Sequence, residues 1–401
     1  MYDHLKQAIK KMARAQHTTL VGIRRHLHMH PELSFQEFKT AKFIAKTLRE
    51  MNIELQEGVA NTGLVALIKG KNPEKATVAL RADMDALPIH EANEVPYKSK
   101  NPGVMHACGH DVHTSSLIGV AKLLKSLKEE FEGTVKLIFQ PAEEKNPGGA
   151  MAMIQAGVLE QPKPMSIMGQ HVDPSIPVGK VGFVKGTMLG SADELYITVQ
   201  GKGGHASSPH HAVDPILIAA HIIVALQQLV SRNGNPMVPS VLSLCQINAG
   251  TTTNLIPETV QIAGTFRTID EQWRSKAHQQ MNDMACGIAK AMGGHCSFVI
   301  DQGYPCLNND GALTQRSREA ASAFLGAEQV VDVALRMWAE DFAYYVQRIP
   351  GCFYYLGVQS DARGAQSQLH TPTFDVDEAA LALGPGLMAW LAIHELGVQT
   401  W

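Results

Sequence analysis

His106, Cys108, His110, Asp111 and His113 fall inside the nine-residue segment MHACGHDVH, residues 105–113. Imidazole and thiolate groups bind a borderline-soft cation well, and clustered ones repel or oxidise unless something occupies them. A His-rich polar loop is the alternative. Against it, carboxylates and further histidines recur at the ends of apolar runs: Asp83 and Asp85, Glu143 and Glu144, His171, and His370. Two carboxylates as close as Glu143 and Glu144 would force one to hold a proton unless a cation sits there. A metal resolves the conflict, with one carboxylate ligating and the other facing the bound water as a base. The residues alone leave open which does which.

The strong donors are Cys108, His110, Glu144, His171 and His370, with Asp85 and Glu143 in support. One zinc needs three or four ligands. Five or more suit two cations sharing a hydroxide, and a single metal with spare histidines around it is the alternative. Thiolate and imidazole favour zinc, while mixed carboxylate ligation leaves manganese, cobalt or nickel open. Cys108 as a nucleophile fits less well, because its neighbours are metal-type ligands. HEANE (90–94) and HELGV (394–398) lack the second histidine of a zincin helix.

Placing these groups requires an alternating framework. Helical periodicity covers roughly 4–29 and 35–51, followed by strands at 62–70 and 76–85. The Cys/His cluster then opens a helix, with Asp111 or Thr114 as the expected N-cap. Strands follow at 135–140, at 165–172 and around VGKVGFV. This alternation implies a mostly parallel sheet wrapped by helices, with ligands at its carboxyl edge. The rhythm then changes to strand 192–200, helix 211–232, strands 240–248 and 259–268, helix 270–292 and strand 295–301. That β-α-β-β-α-β order is a split ferredoxin-like unit, a whole domain in itself. Helices near 312–325 and 339–348, a strand at 352–358 and a last helix from Asp377 to Leu396 complete the chain. The expected organisation is a catalytic domain, 1–187 and 302–401, interrupted by an inserted α+β domain, 188–301.

A chain of 401 residues exceeds one ordinary core. Hydrophobic residues at 45% and charged residues at 18% are those of a globular enzyme and exclude disorder. A net charge of -3 gives no footprint for nucleic acid or an anionic membrane. No stretch approaches 18 consecutive apolar residues, so no transmembrane helix is expected. The N-terminus reads as an amphipathic helix without the apolar region of a signal peptide. Six scattered cysteines suggest reduced thiols and a cytoplasmic address.

RRHLHMHPELSFQE (24–37), RADMDALPI (81–89), MHACGHDVH (105–113), QPAEE (140–144), GKGGHAS (201–207), TTTNLIPETVQIAGTFRT (251–268), EDFAYY (340–345) and LHTPTFDVDE (369–378) occur in that order. Together they resemble the aminoacylase and carboxypeptidase family of di-metal hydrolases, over residues 20 to 395. Within it the branch of hippurate hydrolases, plant auxin-conjugate amidohydrolases and bacterial N-acyl-amino-acid deacylases is the most similar. The resemblance implies a zinc-exopeptidase-like catalytic domain with an inserted lid and dimerisation domain. It also implies Cys108, His110, Glu144, His171 and His370 as ligands of two divalent metals, Glu143 as the general base, and Asp85 orienting a ligand histidine.

By the same resemblance His205 in GKGGHAS steadies the oxyanion of a partner subunit's active site, which implies a homodimer. Asn254 and Arg267 hold the free carboxylate of a small N-acyl amino acid, a role for which the planar Arg fork is suited. The implied activity is hydrolysis of the amide of N-acyl-L-amino acids. A metallo-carboxypeptidase or dipeptidase is the nearest alternative, and a catalytically silent binding homologue the alternative from another class. Two departures mark the site rim: KNPGG after the glutamate pair, and Gln170 and Asp173 around His171. Either bears on which acyl group fits; neither removes a ligand.

Overall fold

The computed structural model describes residues 2–359 and 368–398. The chain divides into two compact units, one built from Met1–Gly186, Asn308–Ala334 and Asp341–Trp401, the other from Thr187–Leu307 and Leu335–Glu340. The first unit opens with α1 (Tyr2–Ala15), α2 (His17–Met29), α3 (Phe38–Glu50), β1 (Glu54–Val59), β2 (Gly63–Lys69) and β3 (Thr77–Asp83). It continues through α4 (His110–Ser126), β4 (Thr134–Gln140), α5 (Gly149–Gln155), β5 (Ser166–Pro177) and β6 (Val181–Phe183). The chain crosses through β7 (Gly186–Leu189) into β8 (Asp193–Gln200), β9 (Gly204–His205), α6 (Pro215–Gln228), β10 (Ser240–Ala249), β11 (Leu255–Ile256), β12 (Thr259–Thr268), α7 (Glu271–Ala291) and β13 (His295–Gln302). It returns through β14 (Leu307–Asn309) to α8 (Gly311–Leu325), β15 (Val330–Asp332), α9 (Ala343–Val346), β16 (Gly351–Gln359) and α10 (Gly384–Val398).

The first unit is built on an eight-stranded sheet of order β1-β2-β4-β3-β5-β16-β6-β15. Its central strands β4, β3, β5 and β16 run parallel. Every residue of β3 and β4 is buried, as expected where helices cover both faces of a parallel sheet. Helix α4 is buried along nearly its whole length, packing against α2, α10 and β3. Its apolar Val112, Leu117 and Ile118 share one core with Leu80, Leu137 and Met168 of the strands. The ligand-type residues at its start are therefore fixed by a helix buried along nearly its whole length.

Several elements differ from expectation. The first helix breaks at Gln16, and α3 begins at Phe38. Neither Asp111 nor Thr114 caps α4. Gly109 does, at φ 87, so the helix starts on His110 itself. A helix spanning 339–348 is confined to Ala343–Val346, and the last helix begins as a 3-10 turn, Glu378–Ala382, capped by Asp377. The strand expected over 165–172 runs on to Pro177, which puts His171 well inside it.

The second unit has a four-stranded antiparallel sheet of order β10-β12-β8-β13. Along β8 buried Leu195, Ile197 and Val199 alternate with outward Glu194, Tyr196 and Thr198, and the buried face packs on α6 and α7. Asp214 caps α6 by accepting from the Ile216 amide at 2.9 Å, and Pro215 takes the first helical position, where its missing N–H costs nothing. Two helical spans, Pro215–Asn233 and Glu378–Gly397, have the length and apolarity of a bilayer-crossing helix. The second is 78% buried and is a core helix; the first is only 33% buried.

Candidate metal centre

Cys108 and His110 flank Gly109, whose left-handed φ opens α4. A Cβ at this glycine would also lie 2.3 Å from Cγ2 of Val172, so the turn must be glycine both for its torsion and for its contact with β5. That contact puts the turn beside His171. The His171 Nδ1–H donates to the Val172 carbonyl at 2.7 Å, which turns Nε2 outward as a lone-pair donor. His110 is oriented the same way. Its Nδ1–H faces the Asp85 carbonyl at 3.0 Å and the Asp85 carboxylate at 3.1 Å. Asp85 is fixed in turn by the Ser34 hydroxyl at 2.7 Å and the Glu144 amide at 2.9 Å. His370 has φ 61, and its amide donates to the Ala107 carbonyl at 2.8 Å. A non-glycine residue persists there only because its surroundings over-determine it.

The five expected ligands converge. Cys108 Sγ lies 3.4 Å from His171 Nε2 and 3.3 Å from His370 Nε2. Glu144 Oε1 lies 3.3 Å from His370 Nε2 and 3.8 Å from His110 Nε2, and Glu143 Oε2 is 4.0 Å from His110 Nε2. Two donor triplets emerge, Cys108 with His110 and His171, and Cys108 with Glu144 and His370; they share the sulfur. A third joins His110 to Glu143 and Glu144.

The donor set fits a cation. His110 Nε2 and Glu144 Oε1 are buried without a hydrogen-bond partner, a costly state unless something positive lies between them. Burial, then Glu144 and Glu143, push the Cys108 thiol well above its ordinary value. Only a cation makes that thiol a thiolate. Burial holds His171 at about 4, neutral and ready to ligate. Burial also opposes charge on His110, but Asp83 and Asp85 outweigh it and raise the imidazole to about 10. A metal bound at His110 Nε2 would take the place of that proton.

Two buried ion networks brace this centre, and the sequence reading gave neither a role. Asp341 accepts from Arg81 at 2.7 Å and from Gln140 at 2.8 Å; Arg81 also donates to Asp83 at 2.5 Å. Asp83 receives His113 Nδ1–H at 2.6 Å, and His113 Nε2 accepts from the Val172 amide at 2.9 Å, beside His171. The signal was Arg81 and Asp83 inside an otherwise apolar strand, together with EDFAYY. In the second network buried Arg24 joins Asp111 at 2.7 Å to Asp375 at 3.0 Å. It thus ties the segment of His110 to that of His370.

The remaining expected residues lie in the second unit. His205 on β9 pairs with Leu255 on β11, and the Asn254 carbonyl accepts from the Ala206 amide at 3.1 Å, so His205 and Asn254 are neighbours. His205 Nδ1 accepts from the Ser207 amide at 3.2 Å, which assigns its proton to Nε2. Arg267 is elsewhere. It sits near the far end of β12, eight residues from Thr259, or about 26 Å of strand, and donates to the Met337 carbonyl at 3.1 Å. Asn254 lies in the connection before β12, at the strand's other end.

The description "Peptidase family M20/M25/M40" matches residues 79–392. The chain is 43% identical over 362 residues to an N-acetyl-L-cysteine deacetylase of Bacillus subtilis, covering 90% of this chain and 84% of that protein. It is 40% identical over 396 residues to thermostable carboxypeptidase 2 of Saccharolobus solfataricus, covering 98% of each. A crystal structure of a Bacillus subtilis dinuclear metal binding peptidase from the M20 family superposes with a TM-score of 0.83 at 39% identity, covering 96% of this chain and 99% of that one.

Proposed function

This chain belongs to peptidase family M20/M25/M40, and from that membership we propose that it is a dinuclear metal-dependent amidohydrolase cleaving N-acyl-L-amino acids. The observation that carries the reading is the pair of donor triplets sharing Cys108, with Glu143 against their edge. Cys108, His110, Glu144, His171 and His370 hold the two divalent cations. When bound, these ions lower the pKa of water and polarise the acyl carbonyl.

Glu143 takes the proton of the attacking water and returns it to the departing amine nitrogen. Asp85 keeps His110 in the tautomer that presents Nε2. His205, protonated on Nε2, donates to the oxyanion, a contribution of about 3–4 kcal/mol. Arg267 and Asn254 dock the substrate carboxylate. Asn254 lies in the connection that precedes β12, and Arg267 lies about 26 Å along that strand from Thr259, so one substrate meets both only if they come from different copies, with His205 beside Asn254.

Two features support such a homodimer through the inserted unit. Helix α6 exposes Ile216, Leu217 and Val224, the last at 74%. Strand β10 is a sheet edge that carries exposed Val241 and Ile247. Exposed apolar residues on a helix and on an open sheet edge suit a second copy. The six cysteines are free thiols, which supports a reducing, cytoplasmic address.

A carboxypeptidase acting on short peptides is the second reading, favoured by the 40% identity to a carboxypeptidase. The test is metal content measured beside turnover of acetyl-, benzoyl- and longer-chain acyl amino acids and of dipeptides, with and without chelator. Two cations per chain and chelator-sensitive deacylation are expected. Dipeptides cleaved in preference would replace the substrate class, and full turnover by metal-free protein would remove the mechanism.

A further inference from the structure

The segment Leu33–Glu37 touches the centre at two points that the ligand set does not explain. Leu33 pairs with Ala86, and Ser34 holds Asp85. Three residues on, the fully buried Glu37 carboxylate accepts from the amides of Phe35 and Ala142, each at 2.8 Å, and from the Thr62 hydroxyl at 2.7 Å. Both amide donors belong to non-glycine residues with left-handed backbones, Phe35 at φ 65 and Ala142 at φ 51. Alanine is disfavoured in that region and stays there only when held. Ala142 is held from both sides. Its N–H goes to Glu37, while its carbonyl accepts from the Gly149 amide at 2.8 Å. Gly149 packs so close that a Cβ there would lie 1.8 Å from the Pro141 oxygen. Burial, then Asp85, raise the Glu37 pKa, so the carboxylate sits at an electrostatic cost that its hydrogen bonds offset only in part. The residue directly after this turn is Glu143.

We infer that Glu37 is a positioning residue for the hydrolysis: it locks the left-handed turn at Ala142 and so aims the Glu143 carboxylate. Relaxation of that turn would swing Glu143 by an ångström or so, a displacement that costs a reaction up to about 100-fold. The ligands Cys108, His110, His171 and His370 lie on other segments and keep their places, and Glu144, on the same turn, is tethered separately by its amide to Asp85. The inference rests on Glu143 being the base.

The test compares wild type, Glu37→Met and Glu37→Met/Ala142→Gly by kcat, KM, metal content and hydrogen exchange of the Ala142 amide. Methionine keeps the length of the side chain and removes the acceptor, whereas glutamine would still accept both amides through Oε1. In Glu37→Met, kcat should fall about 10- to 100-fold while KM stays within about 2-fold and both cations remain. Glycine at 142 adopts the left-handed turn unaided, so the double variant should regain about 5-fold or more in kcat. Unchanged kcat in Glu37→Met, loss of metal along with kcat, or no recovery in the double variant would each overturn the inference. If wild type hydrolyses no N-acyl amino acid, the proposed function fails separately. Exchange then decides: a faster Ala142 amide in Glu37→Met supports the lock, and an unchanged one removes it.

Discussion

At the scale of single residues, chemistry was legible wherever a donor's type and its neighbours restricted what it could be. Cys108 and His110 stand out because thiol and imidazole two residues apart are unusual outside a metal site, and their side chains do converge with His171, Glu144 and His370. The division of labour between Glu143 and Glu144 was not legible from the residues. It depends on which carboxylate lies between His110 and His370, and Glu144 Oε1 does, 3.3 Å from His370 and 3.8 Å from His110. Glu143→Gln keeps the shape of the side chain and would remove the proposed base. Turnover should drop by about 10²–10⁴-fold with two cations still measured per chain. Retained activity would take the role away from Glu143.

At the scale of elements, the parallel strands β3 and β4 could be read because buried apolar runs between turn residues are distinctive. Strand β1, ELQEGV, could not. It is a mostly exposed edge, so no hydrophobic period marks it. The start of α4 was misplaced for a different reason. Asp111 looks like an N-cap locally, but its carboxylate is taken by Arg24 and His28, each at 2.7 Å, and the turn is made by Gly109. Tertiary partners overrode the local rule. The consequence is measurable. In Gly109→Ala the new methyl meets Val172 and the torsion is unfavourable, together about 3 kcal/mol of stability. Urea unfolding should show that loss, and metal content should fall with it because Cys108 and His110 flank the position. A variant as stable as wild type, with both cations, would mean the turn tolerates a side chain.

At the scale of the whole molecule, the change of rhythm near residue 190 announced an inserted β-α-β-β-α-β unit, and its sheet order β10-β12-β8-β13 follows from that connectivity. The sequence did not reveal that, of one expected pair, Asn254 lies beside the small β9-β11 ribbon before β12 begins and Arg267 near the other end of β12, because linear spacing says nothing of which strand end a residue occupies. Mixing His205→Ala with Glu143→Gln should therefore recover up to about a quarter of wild-type turnover, since half the chains pair randomly with the other variant and one of the two centres in each such pair is intact. No recovery under proven exchange would argue that His205 serves its own chain.

The 26 Å along β12 also bears on how the enzyme would respond to dilution. In the proposed dimer, each centre would lose His205 and Asn254 together whenever copies separate, so specific activity would depend on protein concentration. The cell could then throttle deacylation by abundance alone, with no effector and no covalent mark.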